Sequence, residues 1–108
     1  MTRGDIVIVR NDTATGHEQN GNRPAVIVSN NLCNKHSPVI EIVYLTTKQK
    51  SKLPTHTQIF HNNTPSTVLC EAVYSVDNSR IFRIVGHITE QEQQAINHAL
   101  KISLDLGE

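Results

Sequence analysis

About six short runs rich in β-branched residues, separated by clusters of Asn, Pro, Ser and Gly and followed by one stretch of helical period, restrict this chain to a small, mainly β fold with a C-terminal helix. The runs are Asp5–Arg10, Pro24–Ser29, Val39–Leu45, Thr55–Phe60, Thr67–Tyr74 and Ile81–His87. Pro24 is read as the first residue of its strand, where a missing amide proton does no harm. At Thr89 the period changes. Thr89-Glu90-Gln91-Glu92 fits a capping box, and after it Ala95, Ile96, Ala99, Ile102, Ser103 and Leu106 recur at helical spacing, so one helix face is expected to pack on the sheet. Strands this short and evenly spaced predict a small barrel or sandwich. With 108 residues, no internal repeat and no linker, residues 1–108 are read as one domain.

Between the first two runs lies Gly16-His17-Glu18-Gln19-Asn20-Gly21-Asn22-Arg23-Pro24. This segment gathers a possible proton-transfer group, a carboxylate, amides and a guanidinium on a loop that ends where a strand begins, and loops carried by rigid strands are where chemistry usually sits. An ordinary polar hairpin loop is the alternative. Ten Lys/Arg balance ten Asp/Glu, which argues against holding nucleic acid by bulk electrostatics, because that mode needs many cations to displace counterions. Any such contact has to be local. The charge is in fact uneven: residues 1–54 carry seven Lys/Arg against four acids, and the remainder three against six. No apolar run approaches the roughly 20 residues of a membrane span, and MTRGDIVIVR lacks the apolar region of a signal peptide. A cytoplasmic protein with no membrane partner is expected, with Cys33 and Cys70 as free thiols. His36, His56, His61, His87 and His98 lack metal-ligand spacing, so no metal or cofactor is expected and surface or turn positions are their default.

A family resemblance runs through these same segments. GHEQNGNRPAVIVSN, the opening RGDIVIV, the central SPVIEIVYLTTK followed by KLPTH, and the ending EQEQQAINHALKISLDL together resemble the MazF/PemK/Kid family of toxin endoribonucleases, in the family's order and over almost the whole chain. The specific elements are G-x-E-Q-x-G-x-R-P and the spacing from Ser37-Pro38 to Thr46, whereas an RGD near the start and an amphipathic helix at the end are matched by many proteins. The resemblance implies the CcdB/Kid/MazF-type toxin fold, a small SH3-like β-barrel with a C-terminal helix. The strand reading, made independently, agrees with it.

The activity so implied is sequence-specific, metal-independent cleavage of single-stranded RNA (mRNA) by attack of the neighbouring 2′-hydroxyl, leaving a 2′,3′-cyclic phosphate and a 5′-hydroxyl. Such a reaction needs a base, an acid for the 5′-oxygen and a cation for the phosphorane. Arg23 matches the family's R-P arginine and is implied as the cation, since a guanidinium offers paired donors and stays charged; the other reading of Arg23 is a salt bridge with Glu18. His17 stands where the Kid branch has a catalytic histidine and many members have serine, so it is implied as base or acid. Thr46 corresponds to the family's threonine at the end of the third strand, its hydroxyl on the scissile phosphate, while Lys48, Lys50 and Lys52 line a path for the flanking backbone. The lysines equally fit one solvated face of an extended segment. Glu71 aligns with the acid of the family's C-[DE]-Q segment and is implied to orient Arg23 or His17 or to act as the base itself. Here the chain departs from pattern: Leu69 stands where the Kid branch has an arginine two residues before its acid, and Ala72-Val73-Tyr74-Ser75 where many relatives have Q-I-R-T. Either Arg23 acts alone, or a lysine or Arg80 substitutes.

Unpaired bases are recognised by hydrogen bonding and stacking. With Tyr44, Tyr74, Phe60 and Phe82 the only aromatics, base edges are expected to be met mainly by hydrogen bonds from Glu18, Gln19, Asn20 and the 47–58 loop, Thr47 included. The family further implies a homodimer and a cognate antitoxin with an acidic C-terminal segment. Two other classes stay open. One is a barrel toxin acting on a protein target such as gyrase, although those relatives depend on a C-terminal tryptophan and this chain has no Trp. The other is a catalytically silent SH3-like binding module.

Overall fold

Valine and isoleucine occur at adjacent positions along the central strands, and the sheet is buried on both faces there. The computed structural model describes residues 1–11, 21–48 and 50–107. His17, Glu18, Gln19 and Asn20 therefore lie outside the described residues. Strands β1 (Asp5–Asn11), β2 (Gly21–Ile27), β3 (Val39–Thr46), β4 (His56–His61), β5 (Thr64–Asp77) and β6 (Ile81–His87) make one antiparallel sheet in the order β4-β5-β3-β2-β1-β6. Ile6, Val26, Val43, Leu45, Val68 and Cys70 point to one face, where Ile96 and Ala99 of helix α2 (Glu90–Ser103) cover them. Val7, Val9, Ala25, Ile27, Ile40, Ile42 and Tyr44 take the alternate positions and form a second cluster on the other face. Two-sided burial is the physical reason that Ile42-Val43-Tyr44-Leu45 is apolar throughout.

The sheet curls into a half-barrel. Between Val43 and Leu45 the β5 partner jumps from Val73 to Val68, an irregularity of the kind that bends a strand and increases its twist. The β4–β5 hairpin swings round as a result: a Cβ built on Gly86 of β6 would lie 4.0 Å from His61 Nδ1. Asn62 (φ 52) and Asn63 (φ 58) make the two-residue turn, which requires the left-handed region that asparagine tolerates. The expected mainly β fold with a C-terminal helix is thus the one observed.

The capping box forms as read. Thr89 Oγ1 accepts from the Glu92 amide at 3.1 Å, and Glu92 Oε1 accepts from the Thr89 amide at 2.8 Å. Glu92 Oε2 also accepts from the Phe60 amide at 2.9 Å, tying the helix start to β4. Three local expectations need correction. β2 begins at Gly21, so Pro24 lies within it opposite Ile8; the ladder to β3 starts only at Ala25, and the proline's missing donor faces no partner strand. Only Ile96 and Ala99 of the helical stripe are buried, because α2 ends at Ser103 and Ile102 is 42% exposed. A six-residue helix, α1 (Asn31–His36), was not anticipated: it has no apolar period and is set by its N-cap, Asn30, whose side chain accepts from the Cys33 amide. Cys33 is exposed and Cys70 buried, both free. Among the described residues no helix is long and apolar enough to cross a membrane.

Candidate active site

Period two along β2 and β3 builds the site. Ala25 and Ile27 are buried in the second cluster, and Arg23, two residues earlier on the same side, emerges at its rim opposite Val9. Tyr44 lies across from Ala25, and Thr46 follows it at the end of β3. The Arg23 guanidinium lies 4.2 Å from the centre of the Tyr44 ring, a cation–π contact that seats the group beside the groove it lines. Tyr44 is 7% exposed, and its hydroxyl donates weakly to Asn11 Oδ1 at 3.4 Å.

These groups open into a groove of about 920 Å³. Of the residues singled out in the sequence, Arg23, Thr46, Thr47, Lys48, Lys50 and Arg80 line it; Lys52 and Glu71 do not. Thr46 Oγ1 accepts from the Lys48 amide at 3.1 Å, which turns the chain at the strand end and brings the lysines round. Arg80 closes the short 3₁₀ turn Asn78–Arg80, which Asp77 caps. Its Nε and Nη2 donate to the Arg10 carbonyl at 3.0 and 2.8 Å, and Nη2 also donates to Asn11 Oδ1, so this guanidinium is fixed against β1 at the groove wall. Four cations, Arg23, Lys48, Lys50 and Arg80, thus share a groove in which no carboxylate appears among the described lining residues. On a chain of zero formal charge this local excess attracts anions.

Glu71 has another set of partners. Its carboxylate accepts from Thr55 Oγ1 at 3.1 Å and meets His56 Nε2 at 3.0 Å. His56 Nδ1 meets the Ser51 carbonyl at 2.9 Å. Each ring nitrogen faces an acceptor, so both bonds exist together only when the ring carries both protons. The cluster clamps the loop between β3 and β4, which carries the lysines, onto β5. Burial by itself would raise the Glu71 carboxyl, but the bonds from His56 and Thr55 outweigh it and hold the group below its ordinary value of 4.5.

The groove contains residues that the sequence reading passed over as contributors. Leu69 lines it, as does His61, which the hairpin turn delivers there. Tyr44 and Tyr74 line it together, with ring centres 5.3 Å apart at 60°. Counting back by two from Thr46 would have found Tyr44. Nothing local signals Tyr74 or His61, because the β5 irregularity and the hairpin swing bring them in.

Over residues 2–104 the chain matches the family model of PemK-like, MazF-like toxins of type II toxin–antitoxin systems. Endoribonuclease MazF of Staphylococcus saprophyticus is 32% identical to it, across 98% of this chain and 92% of that protein. Among solved structures, an endoribonuclease in complex with its cognate antitoxin from a mycobacterial species superposes with a TM-score of 0.83 at 25% identity, covering 100% of this chain and 98% of that one. MazF from Deinococcus radiodurans superposes with a TM-score of 0.80 at 21% identity over 98% and 97% of the two chains, a likeness of fold.

Proposed function

We infer that this chain, which belongs to the PemK-like, MazF-like toxins of type II toxin–antitoxin systems and is a toxin endoribonuclease of the MazF kind, cuts single-stranded mRNA without a metal ion. The observation that carries the reading is the convergence of Arg23, Lys48, Lys50, Arg80 and the Thr46 hydroxyl on one groove with no carboxylate among its described lining residues.

The reaction follows from those groups. The 2′-hydroxyl attacks the adjacent phosphorus, its proton passes to a base, and the bond to the 5′-oxygen breaks as that oxygen takes up a proton. Arg23 donates to the non-bridging oxygens as charge builds in the phosphorane, and Thr46 donates its hydroxyl to the same phosphate. His17 serves as base or acid. Glu71 has its carboxylate engaged by His56 and Thr55 outside the groove, so it acts on the loop rather than on the phosphate. Lys48 and Lys50 hold the flanking backbone. The products are a 2′,3′-cyclic phosphate and a 5′-hydroxyl. The toxin works in the cytoplasm as a homodimer, and an antitoxin segment rich in carboxylates blocks the same cationic groove.

The test is incubation of the purified chain with a long RNA in EDTA. Discrete fragments with cyclic phosphate and 5′-hydroxyl ends are expected. Strict magnesium dependence or 5′-phosphate ends overturn the mechanism, and intact RNA overturns the nuclease reading.

A further inference from the structure

Tyr74 is 49% exposed in the groove that also holds the four cations. Its ring meets that of Tyr44 at 60° with centres 5.3 Å apart, and Tyr44 in turn carries the Arg23 guanidinium at 4.2 Å. The three form a connected unit with different duties. Tyr44, at 7% exposure, offers a ligand little surface. Tyr74 offers more. The next residue, Ser75, donates its hydroxyl to Glu41 Oε2 at 2.6 Å, which pins the backbone beside the ring. An aromatic that is already ordered loses little entropy when something stacks on it.

Resting on the RNA reading above, we propose that Tyr74 is the stacking platform for one unpaired nucleobase next to the phosphate held by Arg23, and so a residue that sets substrate affinity and position. The groove favours a nucleotide because it pairs a half-exposed aromatic ring with cations suited to phosphate, which is the combination that binds single strands. Every base has a π-face, so Tyr74 fixes where a base sits while neighbouring polar groups choose which base it is. This makes the site less dependent on charge than its cations alone would suggest.

The test uses the full chain and a single-stranded oligonucleotide blocked by a 2′-O-methyl group at the mapped cleavage nucleotide, scanned with one abasic position at a time. Tyr74→Phe should bind within about 2-fold of the parent, whereas Tyr74→Ala and Tyr74→Leu should weaken binding by about 10- to 100-fold, the range that loss of one stacked base produces. One abasic position should cost the parent a similar factor and cost Tyr74→Ala almost nothing more, since both changes remove the same contact. A 2-aminopurine at that position should be quenched by the parent and Tyr74→Phe but not by Tyr74→Leu. If Leu binds as well as Phe, the contact is merely apolar and the proposal fails. If Tyr74→Ala binds and cuts RNA normally but loses an acidic antitoxin peptide, the ring serves a protein partner and the proposal fails. A parent that neither binds nor cuts RNA overturns the RNA reading itself, a result distinct from a parent that cuts and is indifferent to Tyr74.

Discussion

The Arg23 guanidinium packs over the Tyr44 ring and Arg23 lines the groove, so the side chain has two uses: a cation–π contact with the ring, and paired donors suited to a phosphate. Arg23→Ala should therefore lower kcat by at least ~10²-fold, the effect of removing one transition-state donor, with an unchanged circular dichroism spectrum. Arg23→Lys keeps the charge but not the planar fork, so it should recover only part of the loss; full recovery would reduce Arg23 to a point charge. His17 makes a separate claim. If it exchanges the proton, the cleavage rate should titrate between about pH 5 and 8, and that titration should vanish in His17→Ser. A Ser variant with an unaltered profile would move the base role elsewhere.

The lysine loop and helix α2 show how single carboxylates organise whole elements. Glu71 is held below its ordinary value of 4.5 because bonds from His56 and Thr55 overcome the effect of burial. A depressed carboxyl contributes stability that is present above its unfolded value and disappears as pH falls through the folded one. Glu71→Gln should therefore lower the unfolding midpoint at pH 6, and the gap to the parent should close as pH falls below 4.5. A gap independent of pH would mean that the carboxylate's charge is irrelevant. On α2, Thr89→Ala removes one cap bond and should cost about 1 kcal/mol in denaturant unfolding. Glu92→Ala should cost more, because Glu92 serves both the Thr89 amide and the Phe60 amide on β4. Equal losses would show that the tie to β4 contributes nothing.

At the scale of the whole molecule, a neutral chain concentrates four cations in one groove. RNA affinity should fall with salt at a slope set by the phosphates actually contacted, about 0.7 per contact for a single strand. Lys48→Ala and Lys50→Ala should each flatten that slope by about this amount, while Lys52→Ala, outside the groove, should leave it unchanged. Three lysines with equal effects would support the solvated-face reading of the segment. Light scattering should give twice 12.0 kDa for the homodimer, and a fully active monomer would remove that part of the proposal.

The sequence by itself determined the order of the six strands and the C-terminal helix, and the position of the phosphate-binding candidates. β-branched runs, turn residues and a capping box act locally, and period two is enough to put Arg23 and Thr46 on one face of adjoining strands. The motif from Gly16 to Pro24 carried the family. Tertiary structure alone decided how the sheet curls, because a jump in the β3–β5 register depends on pairing between distant segments that no local pattern encodes. That curl brings Tyr74, Leu69 and His61 to the groove. It also decided that Glu71 bonds to His56 and Thr55, and that Lys48 and Lys50 line the groove while Lys52 does not. Residue type fixes what a side chain can do; which partner it meets depends on where the chain folds back.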